Sequence, residues 1–243
     1  MINSLSIIFP CYNEEYRLKD TIKDLEKFCK KKKFKKVEII FVDDGSTDST
    51  YKILKNIKKQ NILLKSKIKV LSYVQNRGKG YALKYGVKFA KYDWILTIDT
   101  DISVSTLQIF DWIKKYKISK NYKIYFGSRN IIGSNIKYQL HRKLIGLIFI
   151  GIIKILFNIN LFDTQCGFKL YNKTVAKKIF SNLQCMGFSH DIEIVLLAKK
   201  FNFKIKELPV KWIHKKGSKV FLIKDSINML ISIIEIKLRF ILK

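Results

Sequence analysis

The sequence predicts an α/β fold in which a mostly parallel sheet is flanked by helices. Three observations predict it. Short apolar runs alternate with longer segments of helical periodicity through the first half of the chain, the pattern of βαβ units. A polar cluster directly follows each of those apolar runs, which is where an open parallel sheet collects its ligands. The chain has 243 residues, 48% of them hydrophobic and 13% aromatic. That suffices for a sizeable core and excludes a wholly disordered chain.

The elements follow in order. Leu5–Phe9 reads as a first strand; Met1 to Pro10 has no basic region and no small-residue cleavage site, so it does not read as a signal peptide. Glu14–Lys30 has helical spacing, Val37–Val42 is a second strand, and Ser49–Lys59 a second helix. Ile68–Tyr73, Gly80–Lys91 and Trp94–Ile98 repeat strand, helix and strand. After a strand at Lys123–Phe126 the rhythm changes. The longest apolar run, Leu144–Ile153 continued past Lys154 to Phe157, is shorter than the roughly 20 residues of a bilayer span and reads as a buried or interfacial helix. A helix is expected around Ser189–Phe201 and a strand around Lys204–His214.

At the C-terminus Ile227, Leu230, Ile231, Ile234, Leu238 and Ile241 recur at helical spacing, with Asn228, Ser232, Glu235 and Arg239 opposite. This amphipathic segment, 220–243, fits a helix lying on a membrane and equally a helix docked on the core. No Gly-, Pro- or Ser-rich linker divides the chain. Residues 1–219 therefore read as one domain with two halves meeting near residues 127 and 128.

The charge is extreme: 48 Lys and Arg against 19 Asp and Glu, a net +29. Nucleic acid, an anionic membrane and a merely solvated Lys-rich surface are all compatible with it. The basic residues are scattered and no nucleic-acid-binding motif is visible, which disfavours the first. Only Arg17, Arg77, Arg129, Arg142 and Arg239 are arginines. Three of them, Arg77, Arg129 and Arg142, lie in or near motif loops, where a planar fork suits bidentate phosphate recognition. Four cysteines form no CxxC pair and His141, His190 and His214 have no HxxxH spacing, which disfavours a zinc ribbon, a disulfide scaffold and a histidine metal site.

Four clusters carry the chemistry. Asp99-Thr-Asp101 follows a buried strand, and in extended chain its two carboxylates point the same way; such a pair can hold a hard divalent cation with substrate phosphates completing the shell. Asp43-Asp-Gly-Ser46 also follows a strand. Gly45 permits a positive φ, Ser46 or Thr47 can cap the next helix, and two adjacent carboxylates leave one for a ligand. Asn76-Arg-Gly-Lys-Gly80 looks like a phosphate-binding loop at a helix start, or a plain helix-entry loop. Pro10-Cys-Tyr-Asn-Glu-Glu15 is the fourth strand ending.

These four motifs in order resemble the family 2 glycosyltransferases, inverting enzymes of GT-A fold. In the second half, Gly127-Ser-Arg129, Asp163-Thr-Gln-Cys-Gly-Phe-Lys-Leu170, Asp191-Ile-Glu193, Val210-Lys-Trp-Ile-His214 and Gly217-Ser-Lys-Val220 are similar to the family's dolichyl- and polyprenyl-phosphate branch, its glucosyl members above all. The resemblance spans about Ser6 to Val220. It implies that Pro10, Tyr12, Glu14 and Asp43 line a nucleotide pocket with Asp44 nearby, and that Lys79 and Asp99 contact the nucleotide sugar. Asp101, with Asp99, would hold Mg2+ or Mn2+. Arg129, Arg142, Ser218 and Lys219 would bind the lipid phosphate or donor diphosphate, and Gln165 would sit near the transferred sugar. Asp191 and Glu193 match an acidic pair that acts as base in relatives with hydroxyl acceptors, and are expected here to position groups.

The implied reaction moves glucose from UDP-glucose to dolichyl or polyprenyl phosphate, in protein glycosylation. GDP-mannose as donor or a glycan as acceptor are the alternatives. Ser103 stands where mannosyl relatives place a metal-contacting Gln, which leans away from mannose. With no transmembrane span in the sequence, peripheral attachment to the cytoplasmic face of an anionic membrane is expected.

Overall fold

A computed structural model describes residues 2–59, 63, 66–116, 118, 122–137, 151, 153–215 and 222–241, with backbone alone for 222–228 and 230. Arg142, Ser218 and Lys219 lie outside the described residues, as does most of the Leu144–Phe157 run.

The first half follows the expected alternation: β1 (Ser4–Cys11), α1 (Leu18–Lys30), β2 (Lys36–Asp44), α2 (Thr50–Lys59), β3 (Lys67–Tyr73), α3 (Lys79–Phe89) and β4 (Trp94–Thr97). Then come α4 (Gln108–Tyr116), β5 (Ile124–Ser128), β6 (Asn135–Lys137), β7 (Lys169–Asn172), α5 (Lys173–Asn182), α6 (His190–Lys200), β8 (Ile205–Pro209), β9 (Lys211–Ile213) and α7 (Leu222–Ile241).

Seven strands form one sheet in the order β3-β2-β1-β4-β7-β5-β8. All neighbours are parallel except at β7, which runs antiparallel to both β4 and β5. The parallel strands end with their carboxyl termini at one edge. Because β7 is reversed, its beginning lies at that same edge, with Lys169 beside Thr97. The strand expected over Lys204–His214 is two strands. β8 belongs to the main sheet, while β9 pairs with β6 in a separate ribbon. Pro209 ends β8, where a residue without an amide proton cannot extend the ladder.

The core lies on both faces. Ile7, Phe9, Ile39 and Phe41 face a cluster shared with α1, α2 and α4, and Ile8, Ile40 and Val42 face another shared with α3, α5, α6 and α7. The strict alternation along β1 and β2 is the two-residue period of a strand buried on both sides.

Helix entries differ in detail from expectation. α1 begins at Leu18 because residues 14–17 form a turn, with the amides of Arg17 and Leu18 on the Glu14 carbonyl. α2 is capped by neither Ser46 nor Thr47. Asp48 caps it, accepting from the Thr50 amide at 2.9 Å, while the Ser46 hydroxyl and the Thr47 amide and hydroxyl bond to Asn13 in the β1–α1 loop. β7 and α5 carry weak signals: four strand residues, then a Lys-rich helix capped by Asn172.

Candidate active site

The site is built at the carboxyl edge of the sheet, beginning with the Asp99–Asp101 loop after β4. Thr100 points inward and fixes the loop. Its hydroxyl donates to the Pro10 carbonyl at 2.8 Å, and its carbonyl accepts from Thr21 of α1 at 2.6 Å. Asp99 and Asp101 are left to the other side. The chain is not extended here. It turns, with the Ile102 amide on the Asp99 carbonyl and Ile102 at φ 53°, a costly conformation for a β-branched residue. That turn lets the Ser103 amide donate to Asp101 at 2.8 Å.

Lys79, the first residue of α3, reaches Asp99 at 2.6 Å. Burial acts to lower its pKa, but Asp99, Asp191 and Asp101 more than offset this and keep it above the ordinary range. Burial and the neighbouring Asp99 push the Asp101 carboxyl up. Gly167 lies directly against the Asp99 carboxylate, so a Cβ there would collide with it.

Beneath this pair is a buried charge cluster. Asp191, at the start of α6, is ion-paired with Lys169 of β7, and His190 Nε2 is 3.2 Å from the same carboxylate oxygen. Burial opposes ionisation of Asp191, yet His190, Lys169 and Lys79 hold its carboxyl well below the usual range. Lys169 Nζ also sits 4.6 Å from the centre of the Phe126 ring. A void of about 10 Å³ lies between Lys79, Asp99, Lys169, Tyr171, His190 and Asp191, room for one water at most. Lys169 had no signal in the sequence beyond its place in the 163–170 motif. Only the reversed direction of β7 brings it here.

The two carboxylates ending β2 divide. Asp44 accepts from Tyr73 Oη (2.8 Å), Asn76 Nδ2 (3.0 Å), and the Arg77 and Gly78 amides (2.8 and 3.0 Å). Of the two readings of Asn76–Gly80 this favours the helix-entry loop: the Arg77 and Gly78 amides hold the chain's own carboxylate. The Gly80 amide is spent on the Met186 carbonyl at 2.7 Å. Asp43 accepts from the Ser46 amide at 3.3 Å, and the Ser46 side chain also bonds its carboxylate. Burial raises the carboxyls of both residues. Gly45 turns the chain at φ 67°, as expected. Tyr12 is partly open at the rim, and Glu14 is paired with Arg17 at 3.0 Å.

On the second-half side, the Arg129 fork is held by Asp163. Nε donates at 2.7 Å, Nη2 at 2.9 Å, and the Arg129 amide adds a third bond at 2.9 Å. Burial would raise Asp163, but Arg129 keeps its carboxyl low. Among the described residues, three buried polar atoms beside this pair, Ser128 Oγ, Thr164 Oγ1 and Gln165 Nε2, have no hydrogen-bond partner. Buried polar atoms rarely stay unpaired, and a ligand can satisfy them. Glu193 accepts the Gln184 amide at 3.1 Å and is approached by Arg239 of α7 at 3.5 Å, so it ties elements together.

The residues at this edge match one family. Residues 6–180 fit the model of glycosyl transferase family 2. The chain belongs to this family. Its relatives include proteins named dolichyl-phosphate beta-glucosyltransferase. One from Dictyostelium discoideum is 36% identical over 249 residues, covering 98% of this chain and 75% of that protein. One from Saccharomyces cerevisiae is 34% identical with the same coverage of each, and one from Homo sapiens is 30% identical, covering 98% and 76%. The chain is thus a hexosyltransferase similar to these enzymes. Its fold is that of a GT-A glycosyltransferase. Glucosyl-3-phosphoglycerate synthase from Mycobacterium tuberculosis, in complex with UDP, superposes with a TM-score of 0.69 at 15% identity, covering 98% of this chain and 79% of that one. A form of that synthase with Mn2+ and UDP superposes at 0.65, with 15% identity and coverage of 93% and 75%. At these identities the likeness concerns the fold. The family 2 assignment agrees with the motifs in both halves, and the matched region includes Asp43, Lys79, Asp99, Asp101, Arg129 and Gln165.

Proposed function

We propose that this chain transfers glucose from UDP-glucose to dolichyl phosphate or a related polyprenyl phosphate, with inversion at the sugar. The observation that carries this is the 30–36% identity, over nearly the whole chain, to three enzymes named for glucosyl transfer to dolichyl phosphate.

The site chemistry supports it. A phosphate monoester has its second pKa near 6, so it is already anionic at neutral pH and needs no strong general base. Asp191, the residue in the base position of relatives with hydroxyl acceptors, is bound by Lys169 and His190 and is suited to positioning. Catalysis then rests on alignment and charge neutralisation. Pro10, Tyr12, Glu14 and Asp43 line the nucleotide side. Lys79 stays charged and orients Asp99 towards the nucleotide sugar. Gln165 offers its side-chain Nε2, which has no partner among the described residues, near the transferred sugar, and Arg129, with Arg142, Ser218 and Lys219, binds the acceptor phosphate or the donor diphosphate.

Asp99 and Asp101 present two hard carboxylate ligands, which fit Mg2+ or Mn2+. Oxygens of the donor diphosphate would complete the shell around such an ion. When bound, the ion neutralises charge on the departing nucleotide diphosphate. Residues 1–219 form the catalytic domain, with the nucleotide-sugar half up to about 127 and the acceptor half after it. Among the described residues no helix is long and apolar enough to cross a membrane; we place the chain peripherally on the cytoplasmic leaflet.

The test is incubation of the purified chain with radiolabelled UDP-glucose, dolichyl phosphate and Mg2+, followed by chloroform extraction. Extractable label that disappears in Asp101→Ala is the expected result. Folded protein that leaves all label in the aqueous phase overturns the lipid acceptor. A larger thermal shift with GDP-mannose than with UDP-glucose overturns the donor.

A further inference from the structure

α7 carries two apolar stripes, and the core uses one. Ile233 and Ile236 are fully buried in the cluster shared by α3, α5 and α6, with Phe240 packed against it. Ile231, Ile234, Leu238 and Ile241 are 51–66% exposed. At about 100° per residue they fall on roughly the opposite side of the helix. The stretch 153–157 repeats the arrangement: Ile153 is buried in the same cluster, while Ile155 is 86% exposed. Nearby, Phe162 is 54% exposed with Lys154 Nζ 5.0 Å from its ring centre.

The charge says what fits this outer stripe. A second copy of a chain with net charge +29 would bring like charges together, which disfavours association. An anionic lipid surface attracts the same charge and buries the same side chains.

The inner side of α7 reaches the site through polar bonds. Arg239 Nη1 donates to Gln184 Oε1 at 2.5 Å and lies 3.5 Å from Glu193 Oε1. Glu193 accepts the amides of Gln184 and Cys185. One residue on, the Met186 carbonyl holds the Gly80 amide at the start of α3, next to Lys79. Ser189 donates to the Met229 carbonyl of α7 at 3.3 Å, immediately before His190 and Asp191.

We propose that α7 is a lipid-seated clamp: its outer stripe rests on an anionic bilayer, and its inner face thereby holds residues 184–193 against the start of α3. The proposal rests on the reading that the protein works at a membrane. The coupling is a matter of linkage. A bilayer binds the helical, stripe-forming state of α7, and so favours every contact that state makes.

The test uses the full chain with vesicles of phosphatidylcholine, with and without phosphatidylserine, and reads co-sedimentation and backbone hydrogen exchange. Anionic vesicles should bind the chain and slow exchange of the Gln184 and Cys185 amides by roughly tenfold. Ile234→Glu/Leu238→Glu should lose both effects. Arg239→Gln should keep vesicle binding and lose the protection. Unchanged co-sedimentation of the double Glu variant, or a dimer that persists on vesicles and needs those two residues, overturns the lipid surface. Vesicle binding without added protection at 184–185 overturns the clamp. Neither readout involves a sugar donor or acceptor, so a failed transferase assay and a failed clamp are separate results.

Discussion

Asp43 and Asp44 are adjacent, both buried and both acidic, and the hydrogen bonds around them assign different tasks. Asp44 gathers four donors, one from Tyr73 at the end of β3 and three from the loop that opens α3. Removing its carboxylate leaves them unpaired, so Asp44→Ala should cost about 2–4 kcal/mol by chemical denaturation. Asp43→Ala should cost under about 1 kcal/mol and instead abolish the thermal shift produced by the nucleotide. The sequence showed that one of the pair exceeded the needs of the turn; which one depended on Tyr73, Asn76 and Gly78 arriving from the next βα unit. Asp163 offers a second contrast. Its folded pKa is depressed by Arg129, while in the unfolded chain it titrates near about 3.9. The unfolded state therefore takes up the proton first as pH falls. The stabilisation is complete above about pH 4–5 and is lost as pH drops through the depressed value. Asp163→Asn should lower stability at pH 7 by on the order of 3 kcal/mol and flatten its slope between pH 5 and 3, measured by urea unfolding at each pH.

Among the elements, β7 decides most about the site. Only four residues long, it escaped detection because neither its length nor its composition stands out beside β1 or β2, whose apolar alternation is plain in the sequence. Its reversed direction delivers Gly167 to Asp99 and Lys169 to Asp191. Lys169→Met should destabilise the protein by about 3–5 kcal/mol, since a buried carboxylate loses its nearest partner. Lys169→Met/Asp191→Leu should recover more than half of that loss, as two charges leave together. Thermal unfolding of the wild type, the single variant and the double variant tests this; equal loss in the two variants would mean the cluster matters by shape alone. α7 was legible as amphipathic, and the expectation of a helix docked on the core is met through Ile233 and Ile236, while Ile231, Ile234, Leu238 and Ile241, from the stripe picked out by the sequence, are exposed. A periodicity count cannot say which of two apolar stripes the core will take.

For the molecule as a whole, the charge and the fold are separable. The fold class and the family followed from ordered motifs, each of which is weak alone. The net charge of +29 concerns solubility, association and self-repulsion. Salt screens that repulsion, so raising NaCl from about 0.05 to 0.5 M should raise the melting temperature by roughly 2–4 °C, equivalent to about 1 kcal/mol for a chain of this size. Calorimetry at the two salt concentrations checks it; a fall would mean specific ion pairs such as Arg129–Asp163 outweigh the general repulsion.

The place of β7 between β4 and β5 also bears on how the chain reaches its native state. Strands β1 to β4 can assemble in the order they are made, each joining a neighbour already present. β5 comes next, but it does not pair with β4; the place between them must stay vacant until residues 169–172 insert there, more than forty residues later. Such a non-local pairing is intrinsically slow, and the unpaired edge of β4 is an aggregation hazard while it waits. The strand that completes this edge is therefore also the one that joins β4 and β5 into a single sheet.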